Sequence, residues 1–132
     1  MKFLLDTNAC IAAMRGRVSA ISKMTAHAPG DCAVSSVTAY ELFTGIEKCR
    51  EPERERAKVA RLLSVLQVLP FDETAARRAG KVRAELEAIG KVCGPYDLLI
   101  AGHALALGLT LITNNVNEFS RVSGLAIENW VG

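Results

Sequence analysis

Three acidic residues stand apart from the rest of the chain. Asp6 closes the apolar run "KFLLD", Glu41 lies among Tyr40, Leu42 and Phe43, and Asp97 sits in "GPYDLLIAGHALALG", a stretch otherwise nearly all apolar. Most other acids fall in charged runs, where a solvated helix face accounts for them. Carboxylates gathered in one place repel one another, so either one pKa rises strongly or a cation sits among them. A hard divalent ion with oxygen ligands, Mg2+ or Mn2+, is the natural cation, because it takes carboxylates plus waters. Such an ion lowers the pKa of a bound water and neutralises charge on a phosphoryl oxygen. That is the equipment for hydrolysing a phosphodiester. Each acid also has a plainer reading. Asp6 can cap the first helix, Asp97 can complement a helix dipole, and Glu41 can pair with an arginine. Their joint occurrence favours the chemical reading.

The elements that must position these acids alternate along the chain. Residues 2–6 read as a buried strand, with Thr7 or Asn8 capping a helix through "ACIAAM". "VSAISKMTAH" is a second, weaker helix, and "CAVSS" a second strand. Ser36 is read as the cap of a helix over "VTAYELFTGIEKC", with Val37, Tyr40 and Phe43 or Thr44 as its apolar positions. Pro52 opens the next helix, "QVLPF" is a third strand, and Asp72 caps a long amphipathic helix ending at Gly90. Pro95 and Gly108 bracket the apolar helix that carries Asp97. "LTLITNN" is a fourth strand and "AIENW" a candidate fifth. Short, uniformly apolar strands alternating with helices imply an α/β sandwich with a largely parallel sheet of four to five strands.

In such a sheet ligands bind outside the carboxyl ends of the strands. Asp6 is expected there, and Glu41, about one turn into a helix that follows a strand, lies near it. The helix carrying Asp97 leads into a strand and is read as starting at the opposite edge, so patterning alone does not bring Asp97 to the other two.

Composition narrows the function further. The 132 residues favour one domain, 1–132, and half are hydrophobic, enough for a core and too many for a disordered chain. A net charge of +2 argues against a general basic coat for nucleic acid and leaves room for a local basic groove. The first apolar run is too short for a signal segment, and no stretch reaches membrane-spanning length, so a cytoplasmic protein is expected. The cysteines Cys10, Cys32, Cys49 and Cys93 form no C-x-x-C, and reduced thiols follow from that compartment. His27 and His103 pair with no cysteine at zinc-ligand spacing.

Four blocks in order, "FLLDTNACI", "SSVTAYELFTGIEK", "GPYDLLIAGHALALGLTLITNN" and "NEFSRVSGLAIENW", resemble the PIN-domain family across essentially the whole chain. Within that family the chain resembles the ribonuclease toxins of the virulence-associated protein C (VapC) type. The resemblance implies a three-layer α/β/α sandwich and a Mg2+- or Mn2+-dependent endoribonuclease. It implies that Asp6, Glu41 and Asp97 are catalytic, that Asp6 and Asp97 ligate the metal, and that Glu41 does so directly or through water. It also implies that the helix of Asp97 does reach the acidic pocket. Many PIN domains carry a fourth acid just after the threonine of the fourth strand. Here Asn115 stands at or near that place, with Glu118 three residues on. Thr7, Asn8 and Thr113 are candidates to orient carboxylates or waters.

RNA must be held by its phosphates. Arg15 and Arg17 follow the first helix and are candidates to flank the pocket. Lys48, Arg50, Arg77, Arg78, Lys81 and Arg83 are weaker ones, because interspersed glutamates make them look like solvated helix pairs. The resemblance further implies a VapB-type antitoxin that silences the toxin and carries any DNA binding, a homodimer within a larger complex, no membrane partner, and growth inhibition through RNA. The tail block is similar to that of toxins cutting the anticodon loop of initiator transfer RNA. Two competing readings are a phospho-receiver signalling domain, for which no strand offers an acceptor Asp, and a non-catalytic PIN-like binding module, which retention of three acids opposes.

Overall fold

The computed structural model describes residues 1–130. Its elements run β1 (Phe3–Leu5), α1 (Thr7–Met14), α2 (Val18–Thr25), β2 (Cys32–Ser35), α3 (Ser36–Lys48), α4 (Pro52–Ser64) and β3 (Gln67–Leu69). They continue with α5 (Glu73–Ala88), α6 (Pro95–Leu107), β4 (Thr110–Ile112), α7 (Val116–Phe119) and β5 (Ile127–Glu128). The five strands form one sheet in the order β3-β2-β1-β4-β5, and every pairing is parallel. α7 is too short to leave a periodic trace in the sequence.

Alternation along the strands divides the core. Leu4, Ala33 and Leu111 face α5, α6 and α7, where Val82, Leu86, Leu98, Ile100 and Phe119 meet them. Leu5, Val34 and Ile112 face the other way, onto Cys10, Leu42, Ile46, Val59, Leu62 and Trp130. Successive side chains point to opposite faces of a strand, so one apolar run serves two cores and the layers number three. Each wholly buried leucine or isoleucine contributes roughly 1.5–3 kcal/mol. α5 and α6 cross at Gly102, where an added Cβ would stand 2.4 Å from the Cα of Ala79. Only glycine allows that approach.

Three local expectations are corrected. The cap of α1 is Asp6, as the plainer reading of that residue had it, with its Oδ1 accepting the Ala9 amide at 2.8 Å, rather than Thr7 or Asn8. The cap of α3 is Ser35, and the Ser36 hydroxyl instead accepts the Phe71 amide at 2.9 Å. In both places strand runs into helix without a loop, so the last extended residue becomes the cap. The buried face of α3 is Thr38, Ala39, Leu42 and Ile46, whereas Tyr40 and Phe43 are 52% and 51% exposed. Close packing selected the small side chains of this helix and turned its aromatics outward. Capping of α5 by Asp72 and of α6 by Gly94 and Pro95, with left-handed Gly108 at its end, follows expectation.

Candidate active site

The strand order reverses between β1 and β4. That is the switch point of a parallel sheet, where a crevice opens outside the carboxyl ends. Asp6 follows β1 there and Thr113 follows β4. Asp6 is 1% exposed, and its Oδ2 is buried without a hydrogen-bond partner. Burial raises its pKa first of all, and the charges of Glu41 and Glu118 add to the rise. The Thr113 hydroxyl and the Ala9 amide favour the charged form, although neither closes a hydrogen bond to Oδ2.

Asp97 lies at the same edge, which corrects its expected placement. A helix that returns to the start of a parallel strand ends at the amino edge, so it begins at the carboxyl edge. After α6, the Thr110 amide bonds to the Lys2 carbonyl at 3.0 Å, which marks that amino edge. Burial, then the neighbouring Glu118, then Asp6 and Glu41 push the Asp97 carboxyl up to about 7. Glu41 is held from across the crevice by the Thr7 hydroxyl, which donates to its Oε1 at 2.6 Å and also lies 3.3 Å from Thr38 Oγ1.

Glu118 completes the set. α7 presents it beside Asp97, where its Oε1 accepts the Gly94 amide at 2.9 Å and its Oε2 accepts from the Asn115 side chain. Asn115 thus serves as a donor to Glu118, and its own amide bonds to Thr113 Oγ1 at 2.9 Å. Asn8 is exposed and enters no hydrogen bond to the carboxylates. Arg15 and Arg17 are carried to the far end of α1, about 12 Å along its axis from Asp6, so they do not flank the crevice. Two features escaped the sequence reading. The exposed Tyr40 and Tyr96 hydroxyls meet at 3.2 Å at the rim, each next in sequence to a pocket acid. The Cys93 thiol meets the Glu118 carbonyl at 3.7 Å. Neither has a periodic signature, because the first depends on the outward face of α3 meeting α6 and the second on α7.

Four carboxylates therefore surround one crevice. A PIN domain matches residues 3–125 of the chain. Over 130 residues the chain is 42% identical to the tRNA(fMet)-specific endonuclease VapC of Shigella flexneri, with 98% of each covered. The chain belongs to the PIN-domain family, among the VapC ribonucleases. It is 40% identical to Ribonuclease VapC2 of Haemophilus influenzae, with 99% of each covered. Among solved structures, a DNA-bound VapBC from Salmonella typhimurium superimposes with a TM-score of 0.94 at 42% identity, covering 98% of both chains. VapBC2 from Rickettsia felis, bound to a promoter DNA fragment, gives 0.93 at 36% identity over 98% and 99%.

PIN-domain ribonucleases generally depend on a divalent metal. The residues here fit one. The orphaned Oδ2 of Asp6 is an acceptor awaiting a partner, and Asp97, raised first by burial and then by the acids around it, stands beside it. Among the described residues no three histidine, cysteine or acidic side chains form a ready-made chelate. Two carboxylates are enough for Mg2+, which keeps several waters in its octahedron.

Proposed function

We propose that this PIN domain is the ribonuclease toxin of a VapBC-type toxin–antitoxin pair, a Mg2+-dependent endoribonuclease acting in the cytoplasm. The observation that carries the catalytic part is the convergence of Asp6, Glu41, Asp97 and Glu118 on one crevice with a buried unpartnered oxygen at its centre. Asp6 and Asp97 would hold the ion. When bound, it supplies charge neutralisation at a phosphoryl oxygen and a more acidic water. Glu41 keeps Oε1 on the Thr7 hydroxyl, which leaves Oε2 to take a proton from the attacking water. Glu118, fixed by the Gly94 amide and Asn115, holds negative charge at the Asp97 side of the crevice.

The names of the relatives point to initiator transfer RNA as substrate, and the tail block "NEFSRVSGLAIENW", similar to that of toxins cutting the anticodon loop, supports a cut there. The partner is a VapB-type antitoxin, through which the complex reaches DNA, and the toxin would be a homodimer inside it. An apolar groove between α2 and α4, lined by Met14, Ile21, Met24, Leu62 and Val65, offers an antitoxin chain a seat.

The test is cleavage of a panel of purified transfer RNAs by the full chain, followed by mapping of the new 5′ ends. Cuts confined to the initiator anticodon loop, abolished by EDTA and restored by Mg2+, are expected. Equal cutting across the panel overturns the substrate assignment. Undiminished cutting in EDTA overturns the metal mechanism.

A further inference from the structure

α5 carries four cations, and the structure divides them. Arg77 is paired with Glu73 at 2.8 Å and Arg83 with Glu87 at 3.0 Å, both on the solvent face. Among the described residues Arg78 and Lys81 have no carboxylate within ion-pair distance, and neither has Arg121, just after α7. These three line one cavity of about 430 Å3 between α5 and the segment following α7. Glu85 is the one acid in that lining.

The cavity is joined to the crevice through α7. Glu118 faces the crevice and Arg121, three residues later, faces the cavity. Cys93 marks the junction, since its thiol touches the Glu118 carbonyl and feels the charge of Arg121. From Arg78 to Ile89 the groove follows about 16 Å of helix. All three cations are exposed, and the acids of the crevice repel a polyanion, so cations just outside them are where its phosphates can be held. A nucleic-acid backbone supplies such anions at regular intervals.

We propose that Arg78, Lys81 and Arg121 form a phosphate track that holds the RNA strand leading away from the crevice. This assignment rests on the ribonuclease reading. The track binds backbone phosphates without reading bases, so it sets affinity and register and leaves the identity of the cut to the crevice. Glu85 opposes the strand and tempers its affinity.

The experiment measures RNA affinity against salt concentration for a transfer RNA stem-loop, in the full chain carrying Asp6→Asn so that the RNA survives. Combining Arg78→Gln, Lys81→Gln and Arg121→Gln is expected to lower the salt slope by about 2, at roughly 0.7–0.9 for each lost phosphate contact. In the cleavage-competent chain the same triple change raises KM about tenfold and leaves kcat near that of the parent. Arg121→Lys retains the slope, which separates lost charge from lost packing. Glu85→Gln tightens binding. The pair Arg77→Gln and Arg83→Gln, on the solvent face, is the control.

A slope that falls no further than in that control overturns the track. If the triple variant keeps its RNA slope and instead loses antitoxin affinity, the groove belongs to a protein partner and the assignment is also overturned. Metal-dependent cleavage with an unmoved slope removes the track alone. No cleavage by the unaltered chain removes the ribonuclease reading and the track with it.

Discussion

α6 carries two polar groups, one buried and one half-buried, that the fold treats in opposite ways. His103, 2% exposed, has its Nδ1 2.8 Å from the hydroxyl of wholly buried Ser35, and the Phe71 ring meets it edge-on. Burial lowers its pKa, so it stays neutral and needs no counter-charge. Asp97, half-buried nearer the start of the same helix, shares a hydrogen bond with Glu118 and feels the charges of Asp6 and Glu41, and beside it Asp6 Oδ2 is buried with no partner. A buried polar group that is satisfied specifies packing. One that is left unsatisfied costs folding free energy and persists where a ligand completes it. The contrast teaches that the helix is anchored in its middle so that its first turn can be held in an unfavourable place.

The strongest way to break this comparison is Asp6→Asn. Asparagine still caps α1, so the change removes charge and little else. Cleavage should fall by roughly 10²–10³-fold, the scale of several kcal/mol supplied by a metal centre. Thermal stability in metal-free buffer should hold or rise, because repulsion among the acids is relieved. An Asp6→Asn protein that cuts RNA like its parent would remove the case for an unsatisfied centre.

Gly102→Ala attacks the anchor instead. The new Cβ would meet the Ala79 backbone, so α6 must shift against α5. Overpacking of this kind costs about 1–3 kcal/mol, near 4 °C of melting temperature per kcal/mol in a chain of this size. Cleavage should fall with it, since α6 also carries Asp97. Lost stability with full activity would show that the first turn of α6 is positioned independently of its middle.

Much of this arrangement was legible beforehand. Asp72, Gly94, Pro95 and Gly108 mark helix ends through chemistry local to each residue, and local chemistry survives in sequence. The acids could be singled out because a charge in an apolar run has few explanations. Three things were not legible. The cap shift from Ser36 to Ser35 depends on strand meeting helix without a loop. The buried face of α3 depends on how closely it packs, which favoured Thr38 and Ala39 over Tyr40 and Phe43. The separation of Arg78 and Lys81 from Arg77 and Arg83 depends on where α7 lies, and four residues of helix announce themselves to no periodicity.

Thr7→Val sharpens the contrast at smaller scale. It removes the 2.6 Å hydrogen bond that fixes Glu41 while keeping the side-chain shape. A bond to a charged group contributes about 1.5–3 kcal/mol, and Thr7 is only half-buried, so the lower end applies. A loss in kcat of about tenfold with KM little changed is expected, with a fall in melting temperature of about 6 °C. A change in KM alone would place Glu41 in binding rather than in the reaction.

In their response to pH the two regions oppose each other directly. In the metal-free protein Asp97 titrates near 7, well above its ordinary 3.8, so the fold binds that proton more tightly than the unfolded chain does. Its stabilisation is full below about pH 4 and is lost as pH rises through about 7. His103 runs the other way. Its pKa in the fold lies below the ordinary 6.5, so its stabilisation is full above that value and is lost as pH falls through the lowered one. Denaturant unfolding at a series of pH values separates them. Asp97→Asn should weaken the decline as pH rises, leaving the part that comes from Asp6, whose pKa is also raised, and His103→Gln should leave stability declining mainly as pH rises from about 4 to 7. Mg2+ should stabilise the parent more at pH 8 than at pH 5, because the ion competes with the proton for the same carboxylates. Matching pH profiles for parent and both variants would mean that neither group is held by the fold in the state assigned to it.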